Sequence, residues 1–258
     1  MAMDHLERVK QEFTRQAETF SAAAGITDSA LAARFVAAMG DAGRGRVLDV
    51  ACGPGIVTAA LAAEARKVVA FDLTPEMLRR ARQRCAQAGH ENVTFKEGSA
   101  TELPFADGAF DGVVTRLSVH HFQDPRLVFD EIARVLRPGG TFVLADVVSS
   151  ENTEESALQN AIEILRDPSH TRMLPQSELL SMVEGAGFDV ASHVSWDKPR
   201  EFEEWMGIVN DPTRVAPIRT VVHALANAGR TAGMGLPLAD GRINFFHRWT
   251  LVVARKPE

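Results

Sequence analysis

Only two cysteines, Cys52 and Cys85, stand among 258 residues. That leaves no disulfide framework to infer and fits a reducing compartment. Basic residues are outnumbered too: 28 Lys and Arg face 34 Asp and Glu, for a formal charge of −6. A nucleic-acid partner would normally call for a basic face, and no Lys/Arg block or basic arm is present, so that class is disfavoured. No apolar run is long enough to span a membrane and no secretory leader is visible, so the expected location is cytoplasmic. No compact Asp/Glu/His set points to a metal. Tyrosine is absent altogether, and we have no physical account of it. The remainder, 45% hydrophobic and 24% charged, is ordinary for a soluble globular chain. Its length suits one large α/β domain with insertions, or one domain with a small cap.

The chain is organised around Val47-Leu48-Asp49-Val50-Ala51-Cys52-Gly53-Pro54-Gly55-Ile56-Val57-Thr58. Val47 to Val50 reads as a buried parallel strand. A Gly-Pro-Gly turn follows, and Ile56, Val57, Ala60 and Leu61 then recur at helical spacing. Strand, glycine loop and helix form a nucleotide cradle, in which small residues admit the ligand and free N–H groups meet its polar parts. A dinucleotide site would want G-x-G-x-x-G, but the third glycine position is Thr58. Asp49 at the strand end would also repel a pyrophosphate, whereas a ligand with a cationic amine and a sulfonium suits it. Lys67 to Phe71 is a second apolar strand, ending at Asp72, which is placed to accept both hydroxyls of a ribose.

These two stretches, the second continuing through Leu73-Thr74-Pro75-Glu76-Met77-Leu78, resemble the first two motifs of class I S-adenosylmethionine-dependent methyltransferases. Phe110-Asp111-Gly112-Val113-Val114 and Arg134-Val135-Leu136-Arg137-Pro138-Gly139-Gly140 resemble the later ones, and the branch looks like the ubiquinone/menaquinone-biosynthesis type and its small-molecule relatives. The resemblance is strong from about Gly45 to Val148. It implies a Rossmann-like α/β fold with a seven-stranded, mainly parallel sheet in the order 3-2-1-4-5-7-6, the last strand antiparallel, and helices on both faces. It also implies S-adenosyl-L-methionine as cofactor, S-adenosyl-L-homocysteine as product, and a cofactor site of Asp49, Ala51, Gly53, Gly55, Asp72, Leu73, Met77, Gly98, Ser99, Ala100 and Thr115. Relatives commonly carry an aspartate where Ser99 stands, so its hydroxyl is the expected substitute acceptor for the adenine amino group.

Outside the core, Leu6, Val9, Phe13, Ala17 and Phe20 recur every three or four residues. They predict an amphipathic helix, which in relatives folds over the cofactor, so Phe20 joins the expected site. Asp28 is a candidate cap for a second helix. One domain is expected over 1–258: lid helices over 1–42, a cofactor-binding core over 43–150, and C-terminal strands over 151–258 with cap insertions near 151–174 and 197–242. Helices are expected over Asn152–Leu165 and Pro175–Ala186, a sixth strand over Val190–Trp196, and broken helix over 201–227 with interruptions at Pro212 and Pro217. The long insertion reads as a cap over the substrate.

The segment after the fourth strand, Thr115-Arg116-Leu117-Ser118-Val119-His120-His121-Phe122, should border the methyl group. It lacks the Asp/Asn-Pro-Pro-aromatic stretch of amino-group base methyltransferases, and a small molecule is the expected substrate. His120 and Asp146 are the candidate catalytic pair, with His120 facing the crevice and His121 turned toward Asp124-Pro125. Arg116, His121, His170 and Arg172 are candidate substrate contacts. The expected reaction is methyl transfer to an oxygen, nitrogen or carbon, by a monomer or homodimer without nucleic acid, metal or membrane span. The alternatives are a non-methylating S-adenosylmethionine binder, either regulator or cyclase, and, disfavoured by Asp49 and Thr58, a nicotinamide-dependent oxidoreductase.

Overall fold

The computed structural model describes residues 4–23, 27, 29–209, 211–239 and 241–258. Among them seven strands form one sheet: β1 Arg46–Val50, β2 Lys67–Asp72, β3 Val93–Glu97, β4 Phe110–Arg116, β5 Leu136–Val148, β6 Asp189–Glu201 and β7 Arg242–Arg255. The order is β3-β2-β1-β4-β5-β7-β6, and β7 runs antiparallel to both neighbours. A two-residue ladder, Leu238–Ala239, folds back on β7. The topology and the antiparallel last strand are those expected from the sequence.

The apolar run of β1 is buried on both faces because its period of two feeds two cores. Leu48 and Val50 pack with Phe129, Ile132, Leu179 and Val183, from α5 Pro125–Val135 and α7 Gln176–Gly185. Val47 faces the other way, toward Phe35, Met39 and Leu61, from α2 Ser29–Met39 and α3 Ile56–Ala62. Each buried Leu or Phe of this kind contributes roughly 1.5–3 kcal/mol. Both β1 neighbours are parallel, with Val47 opposite Val68 on one side and Gly112 on the other. From the β1/β4 junction the strand order runs outward in both directions, through β2 and β3 on one side and β5 on the other, and the crevice opens at the carboxyl ends of these strands.

Outside the sheet lie α1 His5–Ala22, α4 Pro75–Gln87, α6 Thr153–Arg166, α8 Phe202–Val209 and α9 Pro212–Asn227. Asn152 caps α6 by accepting the N–H groups of Glu154 and Glu155. The expected Asp28 cap lies outside the described residues. Helix does break before Pro212, which opens α9, but Pro217 sits inside that helix without interrupting it. Pro212 forfeits nothing at the first helical position, where the N–H has no intrahelical partner, whereas Pro217 gives up the bond that its position would make to the Thr213 carbonyl one turn back. Strand β6 runs five residues beyond its expected end at Trp196, because β7 continues to pair with it as far as Asn244 opposite Glu201. Gly139 and Gly140 of the last motif lie inside β5 at a register irregularity: Leu136 pairs with Phe110, then Thr141 with Gly112. Helices α6, α8 and α9 share a satellite core of Ile162, Trp205, Met206, Ile218, Val222 and Phe245.

Candidate active site

The glycine loop after β1 turns through three left-handed residues, Ala51, Gly53 and Gly55, at φ 54°, 53° and 77°. Two of them do different work. A Cβ on Gly55 would lie 2.7 Å from Ala81 Cα, so this glycine lets the loop press onto α4. A Cβ on Gly53 would meet nothing within 4 Å, and Gly53 lines a cavity of about 350 Å³ at the strand ends.

Two buried carboxylates stand at the floor of that cavity. Asp49 accepts the Thr58 hydroxyl at 2.5 Å. Burial pushes its carboxyl up to about 7, against the Thr58 bond and the Arg116 charge, which hold it down. Asp72 accepts the N–H of Gly53 at 2.8 Å and of Thr74 at 2.8 Å. Burial raises it to about 6, with these backbone bonds opposing. Leu73, Met77, Gly98, Ser99 and Ala100 line the adjoining wall. Ser99 forms a local turn, its hydroxyl 2.8 Å from Thr101 Oγ1 and accepting the Thr101 N–H at 3.3 Å. The opposite wall is apolar and comes from Leu6, Val9, Phe13 and Phe20 of α1, with Phe122 and Leu127. Phe13 meets Phe20 edge-on at 5.7 Å and His121 at 4.9 Å.

The donor and acceptor set fits S-adenosylmethionine. Two buried carboxyls at the strand ends offer acceptors for an amine and for a diol, and the loop leaves open space at Gly53. Comparison with known proteins agrees. The model of a methyltransferase domain matches residues 48–144. A solved structure from Bacillus halodurans, described as a methyltransferase, superimposes with a TM-score of 0.80 at 33% identity, covering 90% of this chain and 99% of the other. The chain belongs to the S-adenosylmethionine-dependent methyltransferases. The uncharacterized methyltransferase YcgJ of Bacillus subtilis is 34% identical over 62% of this chain and 64% of its own length. Demethylmenaquinone methyltransferase of Clavibacter sepedonicus is 43% identical over 39% of this chain and 40% of its own. By sequence the chain thus spans less than two thirds of either relative.

Within this methyltransferase the histidines occupy a second compartment. A cavity of about 70 Å³ adjoins the first, sharing Phe13, Phe20, Leu117 and His121 as a common wall. His120 lines only this smaller cavity, whereas His121 lines both, the reverse of the expected orientation. The reason is that Asp146 holds His120: its carboxylate lies 2.5 Å from Nδ1 and also accepts the N–H of Ser118 and Val119. His121 turns to the Ser169 carbonyl, 3.0 Å from Nδ1, rather than toward Asp124-Pro125. Burial would lower His120, but the Asp146 carboxylate outweighs it and its proton affinity is raised. Burial and the neighbouring His120 push His121 down to about 4.

Four other sequence-named residues are placed as follows. Thr115 is fully buried and lines neither cavity; its hydroxyl donates to the Val50 carbonyl at 2.8 Å, tying β4 to β1. Gly55 shapes the loop without lining the cavity. His170 lies beside His120 in the small cavity, bonded to Asn160 Oδ1 at 2.9 Å, and burial drives it down to about 3. Arg172 pairs with Glu178, half exposed, and lines neither cavity, because the backbone of this segment is pinned to the His120 carbonyl and turns the side chain elsewhere. The sequence reading missed Leu6 and Val9 as wall residues, and also Glu163, Arg166, Arg200, Trp205, His247 and Trp249 of the small cavity. The α1 periodicity carries a signal for the first pair; nothing local signals the others, which converge from α6, β6, α8 and β7.

Proposed function

We propose that the chain methylates an oxygen of a small molecule with an apolar body. The observation that carries this reading is a cavity running from the Asp49 and Asp72 carboxylates to an apolar wall from α1, with a His–Asp pair directly behind it. S-adenosylmethionine supplies the electrophilic methyl when bound. Asp49 meets the amine of its amino-acid part and Asp72 the ribose hydroxyls, while Ser99 takes the place of the usual adenine-reading acid. Helix α1 acts as the lid, held from outside by Thr19, whose hydroxyl donates to the Ile208 carbonyl of α8 at 2.7 Å. The insertion between β6 and β7 walls the small cavity through Trp205 and Ile208, beside Arg200 at the end of β6, and contributes nothing to the large one among the described residues.

His120 is the general base in this scheme. With Nδ1 facing Asp146, Nε2 is the atom left to take a proton from an acceptor hydroxyl. Asp146 remains ionised, since His120 and the backbone donors outweigh the burial that pushes its carboxyl up. The aromatic walls exclude water, so positioning supplies much of the rate. The test is incubation with methyl-labelled cofactor and a metabolite extract: a labelled product with S-adenosylhomocysteine released is expected. Tight cofactor binding with no label in any product would favour the non-methylating alternative.

A further inference from the structure

The small cavity behind His120 has more hydrogen-bond donors than acceptors. Among the described residues, Arg166 Nε, Arg200 Nη2, Trp205 Nε1 and Trp249 Nε1 are buried without an acceptor in the protein, and all four residues line this cavity. The burial is deep: both tryptophans are 1% exposed and the Arg200 side chain 7%. Unmatched buried N–H groups are costly, and four on one wall point to a ligand.

The acids on the same wall are already matched. Glu163 lies 3.1 Å from His247 Nε2 and 3.1 Å from Arg166 Nη1. Asp167 accepts the Ser169 N–H at 2.9 Å, its hydroxyl at 2.6 Å and Gln16 at 3.3 Å. Arg200 is bonded through Nε to Glu204 at 3.2 Å, a carboxylate 40% exposed, which leaves Nη2 unmatched. A group that completes this wall accepts several hydrogen bonds, donates none and carries negative charge beside Arg200. A carboxylate meets all three conditions.

We propose that this cavity binds the carboxylate of the methyl acceptor, so that the substrate is a small organic acid; the inference rests on the methyl-transfer reading above. The volume agrees. About 70 Å³ exceeds the roughly 10–15 Å³ that admits one water and falls well short of the roughly 150 Å³ of a cavity that takes up benzene, so it suits a carboxylate rather than a ring. The apolar body then extends past the shared wall of Phe13, Phe20, Leu117 and His121 into the large cavity, with the hydroxyl to be methylated at the junction of the two, between His120 and the cofactor.

The chain has three tryptophans, so its proton–nitrogen correlation spectrum carries three indole signals, assigned with Trp205→Phe and Trp249→Phe. The full chain, saturated with S-adenosylhomocysteine, is titrated with sodium acetate and sodium benzoate at constant ionic strength, with acetamide as the uncharged isostere. Saturable shifts of the Trp205 and Trp249 signals by both carboxylates, and none by acetamide, are expected. Arg200→Met should weaken the acetate response at least tenfold while S-adenosylhomocysteine affinity stays the same. If that variant does not fold, Trp249→Phe, which removes one donor, must weaken the response seen at Trp205. Indoles unmoved by either carboxylate, an equal response to acetamide, or an undiminished response in the variant would overturn the proposal. Failure of S-adenosylhomocysteine to bind in the same samples would instead count against the methyl-transfer reading.

Discussion

His120 Nδ1 lies 2.5 Å from Asp146 Oδ1, and the same carboxylate accepts the backbone N–H of Ser118, Val119 and Val147. One buried acid at the end of β5 therefore fixes the loop after β4 and orients the imidazole on it. The coupling runs both ways: the carboxylate raises the proton affinity of His120, and His120 helps hold the carboxylate ionised. In its neighbour His121, burial and the His120 charge outweigh the Asp167 and Asp146 carboxylates, so it stays neutral at physiological pH.

From this asymmetry the two histidines should separate in kinetics. His120→Ala is expected to cost about a hundred- to ten-thousandfold in turnover, the usual range for a lost general base, with cofactor affinity retained. His121→Ala should act mainly on binding, since His121 lines the large cavity and packs against Phe13. Equal, small effects on turnover would mean that positioning alone drives the reaction.

Cofactor affinity should depend on pH with a definite sign. In the cofactor-free chain burial raises Asp49 to about 7 and Asp72 to about 6, so both are largely protonated at mildly acid pH. A cationic amine binds the ionised form of Asp49, so affinity should climb as pH rises through 6 to 7 and level off above. The stability linkage has the matching sign. These folded carboxyls hold protons that the unfolded chain releases, so their contribution to the cofactor-free fold falls as pH rises from about 4 through 7. The rise in thermal midpoint on adding cofactor should therefore be larger at about pH 8 than at about pH 6. Calorimetric titration in buffers of different ionisation enthalpy would register proton release on the acid side.

The Asp72 carboxylate should carry the ribose. Losing a charged acceptor of this kind costs roughly 1.5–3 kcal/mol, about ten- to a hundredfold in affinity. Calorimetry on Asp72→Ala measures it, with thermal melting as a control, because the substitution also frees the N–H groups of Gly53 and Thr74.

Ser99→Asp should tighten cofactor binding or leave it unchanged. The Ser99 hydroxyl already accepts the Thr101 N–H in a turn that an aspartate adopts equally well, and the residue lines the cavity. A folded Ser99→Asp chain that no longer binds cofactor would remove Ser99 from the adenine side.

How much of this was legible in the sequence follows from how local each signal is. The strand order and the cradle at Asp49 and Asp72 rest on contiguous motifs, where apolar run, glycine turn and acid occupy a dozen residues. The His120–Asp146 contact follows from β4 and β5 being adjacent. The direction of each imidazole does not, because it depends on Ser169 and on the short helical turn Val119–His121. Arg172 was misplaced because its pairing with Glu178 depends on where α7 starts. The donors of the small cavity were illegible for the same reason on a larger scale. Arg166, Arg200, Trp205 and Trp249 lie on four elements, and no spacing in the chain brings them together.

Gly53 and Gly55 should respond differently to the same substitution. Both sit at positive φ, where an L side chain costs roughly 1–2 kcal/mol, so Gly53→Ala and Gly55→Ala share that penalty. They differ in what the new methyl meets. At Gly55 it would lie 2.7 Å from both Cα and Cβ of Ala81, backbone-close contacts that force α3 and α4 apart. Overpacking of that kind adds about 1–3 kcal/mol, so Gly55→Ala should lose several degrees or more in thermal midpoint. At Gly53 the methyl meets no atom of the protein within 4 Å, so the loss of stability stays near the backbone cost alone. That methyl stands at the wall of the cofactor cavity, however, so Gly53→Ala should weaken S-adenosylhomocysteine binding out of proportion to its effect on folding. Thermal melting and calorimetric titration on the two variants together decide the matter. If Gly53→Ala bound the cofactor like the unaltered chain, the ligand would not approach the loop at this residue, and the cradle would have to be placed elsewhere along Ala51 to Pro54.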